Sequence, residues 1–157
     1  MTRQQILNVD ASYSEDDFTR ACGAVLRDNR GAFICEATAR LDHVQDVVSA
    51  EAAALLEGLK LAQSTGCNNL LVRISNLIVV QALHNNEGHS MVAAPILQDC
   101  RVMLREFGKV VVEHCIRESN MVVHELAQWG GANTPTFWVE APPNFLLKFL
   151  ADDVSVI

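Results

Sequence analysis

Three apolar runs of strand length open the chain, at Ile6–Ala11, Ala21–Arg27 and Ala32–Arg40, each bounded by polar residues. Between the second and third, Asp28–Gly31 reads DNRG and supplies the Asn and Gly chemistry of a hairpin. The pattern predicts an antiparallel three-strand meander. The polar stretch Tyr13–Thr19, acidic at Glu15, Asp16 and Asp17, is a turn between the first two strands. The period then changes. Across Ser49–Gln63, the residues Val48, Ala52, Leu55, Leu56, Leu59 and Ala62 recur at steps of three and four, the spacing of an amphipathic helix. Ser49 is the expected N-cap and Gly66 the expected stop. Glu51 then falls in the first turn, where the helix dipole favours a carboxylate without any chemistry being required of it.

Asn69–Ile74 is again an apolar run of strand length. Coming after a helix, it is expected to lie parallel to a neighbouring strand. Leu77–Leu83 reads as a short helix, Asn85–Ser90 as a polar loop, and Pro95 as the opening of a helix whose apolar face runs from Ile96 to Phe107. Val110–Ile116 is β-branched and strand-like, and Asn120–Trp129 is helical with Val123, Leu126 and Ala127 inward. The order βββαβααβα describes one α/β domain over residues 1–132. Residues 133–157 hold three of the four prolines and the apolar patch Phe145–Leu150, expected as an extended tail packed on the domain surface.

Composition narrows the class. The 157 residues are 50% hydrophobic and 20% charged, as in globular domains. Every apolar stretch is interrupted before it reaches the length of a membrane span, so no membrane role is expected. The opening MTRQQILNVD has no signal-peptide core, which favours a stand-alone chain. Cys22, Cys35, Cys67, Cys100 and Cys115 are odd in number and lack CxxC spacing. They read as small buried thiols in a reducing compartment, cytoplasmic or nuclear. A net charge of −7 works against tight phosphate binding. The nearest approach to a basic stripe is Arg101, Arg105 and Lys109, spaced to share one helix face, and a solvated face explains them equally well. His84 and His89 flank a polar loop as surface residues, and His114 is a strand histidine satisfied by the sheet. No HExxH, Walker or GxGxxG pattern occurs.

Five motifs, in order along nearly the whole chain, carry a resemblance: LNVDAS (Leu7–Ser12), CGAVLRDNRGAFI (Cys22–Ile34), AEAAALLEGLKLA (Ala50–Ala62), VRISNLIVVQAL (Val72–Leu83) and RESNMVVHELA (Arg117–Ala127). Together they resemble the type-1 ribonuclease H-like superfamily, and more narrowly its plant reverse-transcriptase-like branch. The tail, with Trp138, Pro142, Pro143, Leu147 and Leu150, is similar to that branch too. The resemblance implies a ribonuclease H-like fold: a five-stranded mixed sheet, three strands antiparallel and then two parallel, flanked by helices.

The resemblance also implies chemistry. Such enzymes cut the RNA strand of an RNA–DNA hybrid with two divalent ions, about 3.5–4 Å apart in sites of this kind. Four acids are expected to hold Mg²⁺ or Mn²⁺ through hard oxygen ligands. Asp10 matches the first position and Glu51 the second. The third is Ser75, a neutral hydroxyl that cannot balance a divalent ion. The fourth is His124, a substitution that looks usual in the plant branch and that leaves a softer ligand or a proton carrier. Glu125 is adjacent, but one residue along a helix turns it about 100° off that face. Catalytic positions are thus expected at Asp10, Glu51, Ser75 and His124, metal ligands at Asp10 and Glu51, and hybrid contacts at Ser12 and Asn120. The acidic Glu15–Asp17 stretch repels phosphates. Three readings stay open: a degenerate member with residual, weak nucleic-acid binding; an active RNA–DNA hybrid ribonuclease; and a scaffold for an unidentified protein partner.

Overall fold

The computed structural model describes residues 3–13, 20–41, 44, 46–85, 92–132 and 136–139. Strands β1 (Gln5–Tyr13), β2 (Arg20–Asp28) and β3 (Phe33–Arg40) form the expected meander. The β2–β3 turn is held by Asp28, whose carboxylate accepts from the N–H groups of Arg30 and Ala32, both at 2.9 Å. Gly31 supplies the positive φ of 86° that the turn requires. Helix α1 (Val47–Ser64) follows, then β4 (Asn69–Ile74), α2 (Leu77–Asn85), α3 (Ala94–Leu104), β5 (Lys109–His114), a 3₁₀ turn (Arg117–Asn120), α4 (Met121–Ala132) and β6 (Phe137–Val139). The sheet order is β5-β4-β1-β2-β3-β6. β4 runs parallel to both β1 and β5, and the other pairings are antiparallel. The expected five-stranded mixed sheet is therefore present. β6, from the stretch read as a tail, adds a sixth strand on β3. The patch at Phe145–Leu150 lies outside the described residues, as do Glu15–Asp17 and His89.

Alternation along the strands decides which helix covers which face. Leu7 and Val9 on β1, Ala24 and Leu26 on β2, and Leu70, Val72 and Ile74 on β4 are buried on the α1 side. Gly58 lets α1 approach closely: a Cβ there would collide with Val9 Cγ1. On the opposite face α4 settles over Gly23, where a Cβ would meet Ala127 N and Val123 O at 2.9 Å. Val25 packs there with Val122, Val123 and Leu126.

Several sequence expectations need correction. α1 begins at Val47 rather than after Ser49, because Asp46 is the N-cap and its carboxylate accepts from Ser49 N–H at 2.7 Å. Ser49 lies inside the helix, fully buried. Glu51 is consequently in the second turn, beyond the reach of a simple helix-start charge. The helix opened by Pro95 ends at Leu104, before Phe107. Arg101, Arg105 and Lys109 form no stripe: Lys109 belongs to β5, and Arg101 donates to the Ala82 carbonyl at 2.9 Å.

Candidate active site

The β1–β4 ladder closes at the pair Val9–Ile74, so β1 runs on without β4 from Asp10 onward. Into that opening come the second turn of α1, the residue after β4, the 3₁₀ turn and the first turn of α4. Asp10 and Glu51 are buried there, 3% and 6% exposed. Their carboxyl groups touch through a hydrogen bond. Burial, then the charge of Asp10, then that hydrogen bond push Glu51 up to about 9, while the Ala11 N–H and Arg117 pull the other way. The shift favours one proton held between the two carboxyl groups. Its Oε2 is buried and has no hydrogen-bond partner.

His124 approaches from α4. Its Nδ1 stands 2.9 Å from Asp10 Oδ2, and Gln128 Nε2 stands 3.2 Å from its Nε2. A carboxylate accepts and an amide nitrogen donates, so the network places the ring proton on Nδ1 and leaves Nε2 to accept from Gln128. Asp10 is thus hydrogen-bonded on both sides, to Glu51 and to His124.

Asn120 braces the site from below and is 1% exposed. Its Nδ2 donates to Val9 O at 3.1 Å and to Ser75 Oγ at 3.5 Å, while its Oδ1 accepts from Asn8 Nδ2 at 2.8 Å. Asn8 Oδ1 accepts in turn from Arg27 Nη2 at 2.9 Å. The amide of Asn120 is thus engaged inside the fold, and the residue ends the 3₁₀ turn that precedes α4. Ser12 is half-buried on β1, two residues beyond Asp10. Asp10 touches both Glu51 and His124, and Ser75 lies beside Asn120, which donates to the Val9 carbonyl next to Asp10.

One neighbour escaped the sequence reading. His114 ends β5 in register with Ile74, which puts its Nε2 3.2 Å from the Ser75 carbonyl, exposed on the rim. The signal was available, since parallel strands of equal length bring the residues at their C-terminal ends together. His84 lies elsewhere, donating to Val112 O at 2.9 Å.

The donor set can be tested against a divalent ion. Two touching carboxyl groups with an orphaned buried oxygen suit one hard cation. Among the described residues no group of three or more His, Cys, Asp or Glu side chains is arranged to hold an ion, and the hydroxyl of Ser75 supplies no charge for a second. A cavity of about 290 Å³ between α1 and α3 is lined by Leu56, Lys60, Asp99, Val102 and Met103, none of them in this site.

A family model described as reverse transcriptase-like matches residues 8–130, most of the chain. The chain belongs to the reverse transcriptase-like family. No curated protein sequence matches it. Among solved structures, this family member is similar to ribonuclease H1 from the halophilic archaeon Halobacterium salinarum, at 20% identity and a TM-score of 0.76 over 81% of this chain and 96% of that one. An N-terminal ribonuclease H domain from Mycobacterium tuberculosis matches at 16% identity and a TM-score of 0.76, covering 83% and 95%. A ribonuclease H1 isolated from compost, solved in complex with an RNA/DNA hybrid, matches at 20% identity and 0.69, covering 78% and 92%. The reverse transcriptase-like chain thus has a ribonuclease H-like fold.

Proposed function

We propose that this protein is a ribonuclease H-like nucleic-acid-binding domain with a degenerate hydrolytic centre. The observation that carries this reading is the lining of the site, in which Ser75 and His124 occupy two of the four positions inferred for acids. Asp10 and Glu51 remain, and a Mg²⁺ or Mn²⁺ ion would be held there by their oxygens. A bound ion would supply positive charge to a phosphate oxygen. The chain's own residues do the rest. The proton held between Asp10 and Glu51 must leave before both carboxylates can face a cation. His124 keeps a proton at Nδ1 directed at Asp10, and that bond must loosen as well. Ser75 offers a hydroxyl fixed by Asn120, able to hydrogen-bond water but not to add negative charge.

Weak binding of an RNA–DNA hybrid follows from the fold together with the charge of −7. The compost ribonuclease H1 supports the choice of ligand, having been solved with such a hybrid. Membership of the plant branch rests on the motifs of the chain alone. An active hybrid ribonuclease is the second reading, favoured by one observation: His114 presents an exposed imidazole whose Nε2 reaches the Ser75 carbonyl on the rim of the site. Hydrolysis of a labelled RNA–DNA hybrid in Mg²⁺ separates the two. The degenerate reading expects little cleavage by the natural chain and a clear rise in Ser75→Asp. Robust cleavage by the natural chain, lost in Asp10→Asn, establishes the second reading instead.

A further inference from the structure

Among the described residues β5 forms one edge of the sheet, with β4 as its strand partner. Lys109 N–H donates to Asn68 O and Cys115 N–H to Ile74 O, both at 2.9 Å. The odd-numbered residues therefore direct their backbone groups inward to β4, and alternation directs those of Val110 and Val112 outward. Among the described residues, the group bonded on that outer side is the exposed side chain of His84, on the Val112 carbonyl. The strand is six residues long, contains three consecutive valines and lacks proline, so the edge protection it carries lies in its charged side chains, Lys109 and Glu113. The opposite edge, β6, has three residues.

The side chains of Lys109, Val111 and Glu113 share one face of β5, and all three are exposed, Val111 at 44%. α4 packs over β1, β2 and β3 on that side of the sheet. Positive, apolar and negative thus follow one another at two-residue steps, symmetrically about Val111. Such a sequence is its own complement when reversed.

We propose that β5 pairs antiparallel with β5 of a second copy of this chain, about a two-fold axis through Val111. Val111 then faces its own copy, Val110 faces Val112, and Lys109 faces Glu113 on both sides of the axis. Val110 and Val112 are the residues whose backbone groups point outward, so they exchange the ladder hydrogen bonds, and Val111 forms the closer non-hydrogen-bonded pair. Opposite charges directly across an antiparallel pair are favourable. Centring the pair on Val110 would set Lys109 against Val111, and centring it on Val112 would set Glu113 against Val111, leaving the charges unmatched. Glu113 is already held on this face by Arg73 Nε at 3.3 Å. Pairing displaces one surface hydrogen bond, that of His84. The self-matching order of charges favours a second copy over an unrelated peptide, and the contact is of the isologous kind that closes as a dimer.

Sedimentation velocity over a concentration series tests the pairing. The natural chain is expected to shift toward dimer with concentration. Lys109→Glu and Glu113→Lys, each confirmed folded by circular dichroism, are expected to be monomeric alone and to form a heterodimer when mixed, because every cross-strand pair is then again of opposite sign. Val111→Cys is expected to form an intermolecular disulfide under mild oxidation, since non-hydrogen-bonded partners lie about 4.5 Å apart at Cα, within disulfide reach. A natural chain that stays monomeric at every concentration overturns the proposal. So does a dimer that persists in both charge-reversed variants, or a mixture of the two that remains monomeric.

Discussion

His124 donates from Nδ1 to Asp10 Oδ2 over 2.9 Å, joining the first turn of α4 to the end of β1. The Asp10 carboxyl also shares a hydrogen bond with Glu51, so one buried group engages two neighbours. A site lined by four acids has no such internal network, because like charges repel and wait for cations. Here the lining satisfies much of itself.

Exchanging His124 for a carboxylate should undo that balance. His124→Asp puts a third acid against Asp10 and Glu51, and without metal its melting temperature is expected to fall by several degrees, about 2–4 °C for each kcal/mol lost in a domain of this size. Addition of Mn²⁺ should recover more stability in the variant than in the natural chain. Thermal melts with and without the ion check both.

Glu36 supplies a pH dependence independent of the site. It is fully buried on β3, neither carboxylate oxygen has a hydrogen-bond partner, and burial pushes it up to about 8. Its folded pKa is above its unfolded one, so its contribution is intact below about pH 4 and is lost as pH rises toward 8. Glu36→Gln should flatten the fall in stability across that window and exceed the natural chain at pH 8 by an amount on the order of a few kcal/mol. Urea unfolding at pH 5 and pH 8 measures the difference.

Asn120→Ala removes the partner of Asn8 Nδ2 and of the Val9 carbonyl, both buried. Each polar group left unsatisfied costs about 1–3 kcal/mol, so a large drop in stability is expected in chemical denaturation.

Gly23→Ala tests the seating of α4. The new methyl would meet the backbone of Ala127 and Val123 at 2.9 Å, and helix backbone cannot yield as a flexible side chain can. Overpacking of this kind costs about 1–3 kcal/mol. Gly23 pairs with Asp10 across β1–β2, so the displacement should also weaken the His124–Asp10 bond, visible as a change in the His124 imidazole nitrogen shifts by NMR.

Much of this was legible from the chain. Strand alternation and the helical step in Ser49–Gln63 place the meander and α1, and the motif order places Asp10, Glu51, Ser75 and His124 around one opening. Local signals failed where a competing residue did the job better. Asp46 caps α1 ahead of Ser49, which moves Glu51 from a solvated first turn to a buried second turn and changes its chemistry. Lys109 followed a helical spacing but falls in β5, since the helix stops at Leu104. The buried chain Arg27–Asn8–Asn120–Ser75 joins residues far apart in sequence, and no local period announces such contacts. β6 was hidden for the same reason, because three residues are too few to carry a period.

Calorimetric titration of Mn²⁺ into the natural chain and into the Ser75→Asp/His124→Asp double variant counts the ions the site can hold. The natural chain is expected to take up at most one ion, weakly, and the variant to bind more tightly and to take a second. Two tightly bound ions in the natural chain would contradict a degenerate centre.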